Sequence, residues 1–553
     1  MRLINCLVLF LLPLSICAQN TVGLITYDPA QTYDGYSLIY PHNQPNVYLL
    51  DNCGEYVHKW EDSMVYRAGN TAYILDNGNL VKCKRHSNIG SDPIWAGGGG
   101  AIVEIRNWEN DLLWSFELND STARLHHDIA MHPNGNIFMI AWENFSASTA
   151  IQEGRDSALL STDEFWPDYI IEVKPIGTDS FQIVWEWHAM DHIIQDHDST
   201  KNNFGVVGDH PELININYGS AGGNPDWMHS NSIDYNPLLD QILLSVPTFS
   251  EVWIIDHSTS TAQAASHSGG ASGRGGDLVY RWGNQAAYDN GDTTDQKLFY
   301  QHDAHWVDRH LTAAHPDFGK VMVFNNRVSS STSTVNMFNP VFDSYGWNYP
   351  MNGQIWGPNT FDYEYAATPS SAIYSDILSS AQVLENGNKL ICVGRSGYNF
   401  ELNSNDEIIW EFENPFIGGV PASQGDTIPL SANLMFQMKK YPADYSGFAG
   451  RDLSQKGFIE FNPDTTFCDQ ILAVEELVEN NFLSIYPNPS SDYLIFKSEK
   501  VGLQRISVFN QKGQLFKKYD LRESLEIDCS KWSGGEYFIQ LEGKQVYKVI
   551  LIK

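Results

Sequence analysis

SSAQVLENGNKLICVG, residues 379–394, reads as two alternating apolar strands folded about an Asn-Gly turn. Asn-Gly tolerates the positive φ values of a tight hairpin, so the pair is a strong local hairpin signal. A second hairpin follows, NFELNSNDEIIWEFENP, with Trp410 on its last strand. The same order recurs upstream. TAYILDNGNLVKC (71–83) precedes IVEIRNWENDLLWSFEL with Trp114, and HHDIAMHPNGNIFMIA (126–141) precedes YIIEVKPIGTDSFQIVWEW with Trp185. HSNSIDYNPLLDQILLSV (229–246) precedes EVWIIDHS and DLVYRWGN with Trp282. HDAHWVDRH and GKVMVFNN (302–326) begin a less regular member. About four strands per unit at a period of several tens of residues is the pattern of a propeller blade.

The pieces left over lie at the two ends. NVYLLDNCGEYVHKWE (46–61), carrying Trp60, is near the start; SANLMFQMKKYP (431–442) and GFIEFNP (457–463) are near the end. Together they supply a sixth unit that closes a ring with strands from both ends. Cys53 and Cys468 fall on these two regions, so a closing disulfide is expected between them. The predicted fold is all-β: a six-bladed β-propeller over about 21–470, followed by a small C-terminal β-sandwich. An array of sandwiches built from unrelated hairpins is the competing architecture.

Composition agrees with short strands and tight turns. The chain has 553 residues, with 16 Trp, 27 Tyr and 43 Gly, and no convincing long amphipathic helix. Acidic residues number 67 against 34 basic, a formal charge of −33. Such a polyanion is not attracted to phosphate backbones or anionic lipid, which argues against nucleic-acid and membrane-surface partners.

MRLINCLVLFLLPLSICAQN opens with Arg2, an apolar run, and Ala18 before Gln19. This is the pattern of a secretory signal peptide over 1–18. The run is too short for a membrane span, and Ile16 stands where a lipoprotein site at Cys17 needs a small residue. Beyond it remain Cys53, Cys83, Cys392, Cys468 and Cys529, an odd number without CxxC spacing. At least one stays free or pairs outside the chain, and no zinc site is suggested by the cysteines.

After about residue 470 the pattern changes. AVEELVENN lies in an expected linker, 471–482, and LSIYPNPSSDYLIFKSE then opens a separate module over 483–553. Its YPNPSSD start, VFNQKGQ hairpin and SGGEYFIQL finish resemble the C-terminal sorting domain of type IX secretion cargo. The resemblance implies the type IX secretion machinery as a partner, with release or attachment at the cell surface. A small carbohydrate-binding sandwich is the bland alternative.

In three successive units a histidine stands at the start of the first strand: His127, His229 and His302. Equivalent points of successive blades face one end of a propeller's channel, so three imidazoles would converge there. Imidazole serves as nucleophile, proton donor or proton acceptor near neutral pH. Three histidines can also hold zinc with an open position. Asp128 and Asp303 follow two of them, but strand alternation turns neighbours to opposite faces, where they orient backbone instead.

GNTAYILDNGNL, HHDIAMHPNGN, DWMHSNSIDYNP, YRWGN, QHDAHWV and SSAQVLENGNKLI…EIIWEFENP, in that order, resemble the arylsulfate sulfotransferases. That family comprises six-bladed propellers that move a sulfuryl group from one phenol to another through a sulfated histidine, without a nucleotide cofactor. The resemblance implies His302 as nucleophile, and His127 and His229 as sulfate-binding groups that exchange protons with the phenols. Asn231 matches a position that hydrogen-bonds the sulfate. Aryl sulfates and phenols are the implied small-molecule partners, and no cofactor or metal is implied.

One departure weakens the match. The family places an arginine eighteen residues after the His229 position, and this chain has Pro247 there, in ILLSVPTFSEVW. Losing a guanidinium contact to a transferring anion costs on the order of a hundredfold in rate. Arg327, after VFNN, and Arg395, in CVGRSG, are candidate replacements from other blades; each is otherwise a solvated arginine. A propeller that binds a ligand or partner without turnover, and a metal-dependent hydrolase, are the alternative functions. AGGGG (96–100) reads as a flexible loop, and the Ser/Gly-rich stretch 257–276 as a mobile insertion or a lid over the channel mouth.

Overall fold

The computed structural model describes residues 20–219, 224–308, 310–342, 347–464, 468, 483–498, 503–510, 514–541 and 545–552. The leader expected over 1–18 and the linker expected over 471–482 lie outside the described residues. Two compact units form, Met1–Cys468 and Asp469–Lys553.

The first unit holds six antiparallel sheets of four or five strands, beside short two-stranded pairs. The first combines both ends of the unit, in the order Met438–Pro442, Gly35–Ile39, Val47–Leu50, Tyr56–Trp60. The second runs Tyr66–Ile74, Leu80–His86, Ile102–Arg106, Leu112–Glu117. The third runs Ala123–Met131, Ile137–Glu143, Asp168–Ile176, Ser180–His188. The fourth runs Ser232–Asn236, Gln241–Val246, Glu251–Asp256, Tyr280–Trp282. The fifth runs His302–Trp306, Val321–Ser329, Thr332–Phe338, Tyr363–Tyr365. The sixth runs Ser380–Val383, Lys389–Val393, Tyr398–Leu402, Ile408–Glu413, with Gly23–Tyr27 added at its outer edge.

From the second sheet onward the first strand of each sheet packs against that of the next, the sixth returns to Met438–Pro442 of the first, and Gly35–Ile39 of the first meets Tyr66–Ile74 of the second. This is a six-bladed β-propeller. Its closure is the predicted one: Met438–Pro442 pairs with Gly35–Ile39, and Cys53 is disulfide-bonded to Cys468. Cys83, Cys392 and Cys529 are buried and outside any disulfide. GFIEFNP differs from expectation. It adds no strand to the closing sheet; Phe461 bridges to Ser423, and Ile459 joins the core near the disulfide.

Two sets of hydrogen bonds tie neighbouring sheets together. On the fourth strands, each indole N–H of the recurring tryptophans donates across the gap. Trp60 reaches the Asn107 carbonyl (3.0 Å), Trp114 that of Ser180 (2.9 Å), and Trp185 the Thr259 hydroxyl (3.0 Å). Trp282 reaches the Pro358 carbonyl (2.6 Å) and Trp410 that of Asn52 (2.9 Å). The irregular fifth sheet substitutes Tyr363, whose hydroxyl donates to Asp406 at 2.7 Å. All five indoles are buried, so each contributes apolar area and satisfies its one donor in the same contact.

Near the axis the ties are carboxylates. Asp128 accepts from the Ile233 N–H (3.2 Å), Asp234 from Trp306 (2.9 Å) and Asp303 from Ala381 (3.1 Å). Asp128 and Asp303 thus hold neighbouring backbone.

The Ser/Gly-rich stretch 257–276 is neither a lid nor a mobile tether. It contains a capped helical turn, Thr261–Ala264, that packs on the outer strand Ser180–His188. Trp187 donates from its indole to the Gly276 carbonyl at 2.7 Å. Local sequence suggests mobility because the segment is nearly free of apolar residues; its order comes from distant partners.

The second unit is a small β-sandwich. One sheet is Leu483–Tyr486, Tyr493–Ser498, Ser524–Asp528; the other is Leu515–Leu521, Gln504–Asn510, Gly535–Leu541, Gln545–Leu551. Leu494, Phe496, Val508, Ile539 and Val549 fill the core between them. No helix among the described residues is long and apolar enough to cross a membrane.

Candidate active site

His127, His229 and His302 come together at one end of the channel. Five rings follow one another around it. His127 and His229 have centroids 4.5 Å apart, His229 and Tyr300 6.3 Å, and Tyr300 and His302 6.0 Å. Phe436 completes the circuit, 6.2 Å from His302 and 6.1 Å from His127.

Backbone irregularities aim these side chains. Leu125 pairs with Ala141 and Ile129 with Met139, so His126–Asp128 bulge out of the first strand of the third sheet. His302 pairs with Phe324 and His305 with Met322, which leaves an extra residue in the fifth sheet as well. His127 and His229 both adopt φ of 55°, a left-handed conformation uncommon outside glycine.

Each histidine has a different partner. His302 Nδ1 lies 2.9 Å from Asn326 Oδ1. The Asn326 amide is itself fixed, donating from Nδ2 to the carbonyls of Ser375 and Leu378, both at 2.9 Å. Oδ1 therefore faces the ring as an acceptor, and Nδ1 carries the proton. Nε2 keeps its lone pair, which accepts a 3.1 Å hydrogen bond from the Leu378 N–H. Burial, and then the charges of His229 and Arg327, push the His302 pKa down to about 3.

His229 Nδ1 is hydrogen-bonded to Asp226 Oδ2, and Asp226 Oδ1 accepts from the Trp142 indole at 2.9 Å. Burial alone would lower its pKa; the Asp226 charge and hydrogen bond outweigh burial and raise it. His127 Nδ1 lies 2.8 Å from His126 Nδ1, and His126 Nε2 is 3.3 Å from Asp168 Oδ1. Burial, followed by the neighbouring His229 and His126, holds the His127 pKa well below its ordinary value. One phase of the repeat thus presents two imidazoles whose protonation is disfavoured and one whose protonation is favoured.

Asn231 is fully buried, with Nδ2 donating to the Gln301 carbonyl at 2.8 Å, directly before His302. Pro247 begins a turn in which the Thr248 hydroxyl donates to the Trp227 and Met228 carbonyls, 2.7 and 2.8 Å away. Arg327 stacks on Tyr300, its guanidinium carbon 3.6 Å from the ring centroid, and its Nε donates to the Asp376 carbonyl at 2.9 Å. Its charge reaches both His229 and His302. Arg395 forms an ion pair with the Asp376 carboxylate beside it. Of the two arginines, Arg327 is the one coupled to the imidazoles.

The AGGGG loop belongs to the site, contrary to the expectation of a free flexible loop. Gly97 to Gly100 all have positive φ, and a Cβ on Gly98 would stand 2.2 Å from the His127 ring. The Gly98 carbonyl accepts from the His127 N–H (2.6 Å) and from Asn70 Nδ2 (3.0 Å). Glycines are needed because backbone lies directly on an imidazole. Asp226, three residues before His229, and Asn326, in VFNN, also escaped sequence reading. Nothing local distinguishes a second-layer partner; only the folded neighbourhood does.

Among the described residues, the group whose donor atoms gather within 4.8 Å as a metal site requires is His192, His267 and Asp277, which lies apart from these three histidines.

No curated protein matches the sequence. Among solved structures, a protein of unknown function from Bacteroides caccae is 10% identical, covering 74% of this chain and 98% of that one, with a TM-score of 0.39. Virginiamycin B lyase from Staphylococcus aureus is 8% identical, covering 70% and 87%, with a TM-score of 0.30. Residues 484–553 match the secretion system C-terminal sorting domain, which places the protein outside the cell or on its surface. Residues 25–415 match the arylsulfotransferase (ASST) family model, and the chain belongs to that family.

Proposed function

We propose that the propeller transfers a sulfuryl group from an aryl sulfate to a phenol, with His302 Nε2 carrying the group between them. The observation that supports this most is the Asn326 contact. A hydrogen-bonded amide that accepts from Nδ1–H fixes the tautomer whose Nε2 lone pair attacks once it exchanges the Leu378 N–H for the substrate sulfur. The low pKa keeps that lone pair unprotonated at neutral pH.

In the first step Nε2 attacks sulfur, the S–O bond to the aryl group breaks, and the bonding pair leaves on the phenolate oxygen. His229 gives that oxygen a proton. In the second step the acceptor phenol loses its proton to an imidazole, His127 being the neutral one nearby, and its oxygen attacks sulfur; the proton then passes from His127 to the adjoining His229, which restores the starting state. The N–S bond breaks and returns its pair to Nε2. The Leu378 N–H now on Nε2 and the Arg327 guanidinium are the donors nearest the sulfuryl oxygens, with Arg327 standing in for the arginine replaced by Pro247. Asn231 acts through Gln301 as a positioning residue, and Arg395 acts through Asp376.

The domain organisation that goes with this reading is a catalytic propeller over about 21–470 and a sorting module over 483–553. A second reading, ligand binding without turnover, is favoured by Pro247 alone.

Turnover of p-nitrophenyl sulfate with and without added phenol tests the proposal. Phenol-dependent release of nitrophenol is expected, with a fall of about ten-thousandfold in His302→Asn. No turnover by the wild-type chain across a panel of aryl sulfates and phenols would leave the binding reading standing.

A further inference from the structure

A second histidine cluster lies away from the channel, where the 257–276 insertion meets the third sheet. His192 ends the short turn Ala189–His192 after the outer strand and is completely buried, its ring stacked on Trp187 at 5.6 Å. Its Nε2 is 2.7 Å from the Ala264 carbonyl and its Nδ1 is 2.8 Å from Asp277 Oδ1. His267, from the insertion, places its own Nδ1 2.7 Å from that same oxygen.

A carbonyl oxygen only accepts, so His192 Nε2 carries hydrogen. A neutral imidazole then has a lone pair on Nδ1, and that lone pair faces a carboxylate oxygen. The contact requires a positive centre between them. A second ring proton fills that place in an ion pair and a metal ion fills it in a coordination site; the second imidazole, His267 Nδ1, brought to the same oxygen favours the metal ion. A divalent ion satisfies every atom: His192 ligates through Nδ1 and donates Nε2–H to a backbone carbonyl, the usual outer support of a metal-bound histidine. The donor atoms of His192, His267 and Asp277 all lie within 4.8 Å of one another. Two imidazoles and one carboxylate suit Zn²⁺, with a fourth position open on the side of His267, whose side chain is 62% exposed.

The surroundings fit a built site. A Cβ on Gly276 would lie 2.0 Å from the Ala264 oxygen and 2.6 Å from His192 Nε2, so glycine is required for the backbone to pass. The insertion offers little apolar surface of its own, and a metal clip is the kind of bond that holds such a segment.

We propose that His192, His267 and Asp277 form a zinc site that pins the 257–276 insertion to the outer strand of the third sheet. The site is structural and separate from His127, His229 and His302.

The test uses the untagged full chain, stripped with a chelator and titrated with ZnCl₂ by calorimetry, with thermal melts alongside. Wild type is expected to bind one zinc equivalent more than His267→Ala or Asp277→Asn. Zinc is expected to raise its melting temperature by about 3 °C and to leave the variants unchanged. His267 is exposed, so its removal leaves the fold intact as a control. Equal zinc binding by wild type and both variants would overturn the proposal. So would a melting temperature that responds to pH but not to zinc, which would assign the cluster to an imidazolium–carboxylate pair. Sulfuryl transfer is not a readout here, so failure of either proposal leaves the other intact.

Discussion

The rim of the propeller and its histidine end use the same repeat in opposite ways. At the rim, Trp60, Trp114, Trp185, Trp282 and Trp410 each donate one indole hydrogen bond to the following sheet. Residue and role are both repeated. At the channel end, His127, His229 and His302 repeat the residue but not its partner, which is His126, Asp226 or Asn326 in turn. Uniform contacts build the ring; at the channel end burial lowers the pKa of His127 and His302, while the partner Asp226 raises that of His229. A repeat fold therefore acquires chemistry by changing what stands behind a repeated side chain.

The comparison can be broken at either end. Trp114→Ala leaves a cavity and an unpaired Ser180 carbonyl at the rim. We expect a loss of about 3–5 kcal/mol in unfolding free energy by denaturant titration, with unaltered KM at low temperature. An altered KM at unchanged stability would show that rim and channel are not separable.

Asn326→Ala removes the acceptor that fixes the His302 tautomer. A fall of about a hundredfold in kcat with little change in KM is expected from steady-state kinetics. Arg327→Ala is expected to cost about tenfold to a hundredfold in kcat/KM, partly restored by Arg327→Lys. An unaffected Arg327→Ala enzyme would mean that nothing at this position replaces the family's arginine.

The smallest effect concerns pH. His229 holds its proton above the ordinary histidine pKa because of Asp226. Donor activity is then present below that pKa and is lost as pH rises through it. The acid limb lies far lower, because His302 stays neutral down to about pH 3. Asp226→Asn should move the alkaline limb of the rate profile down and leave the acid limb in place. Movement of the acid limb instead would contradict the assignment of His229 as donor.

Much of this architecture was legible in the chain. Hairpin turns, the recurring tryptophans and leftover strands at both ends carry the ring and its closure, because each depends on local pattern. Cys53 and Cys468 follow from where those leftovers must meet. The histidines were legible through their common phase. What stayed hidden depends on distance. Asp226 and Asn326 look like ordinary polar residues until the fold sets them behind an imidazole. AGGGG has the composition of a tether, yet its lack of side chains is what lets backbone lie on His127. The 257–276 stretch misled for the same reason, since its order is supplied by Trp187, His192 and Asp277 outside it.

The pairing of Met438–Pro442 with Gly35–Ile39 sets an order of events for folding. A chain grows from its N-terminus, so Gly35–Ile39 waits, without its inner neighbour, until nearly the whole propeller has been made. Any product that stops short of residue 438 keeps an open sheet edge and an unpaired Cys53. Such exposed edges recruit other strands, or the proteases and chaperones that patrol for them. The last strand of the ring therefore serves as the molecule's own proof of completion, and the Cys53–Cys468 bond seals it once given.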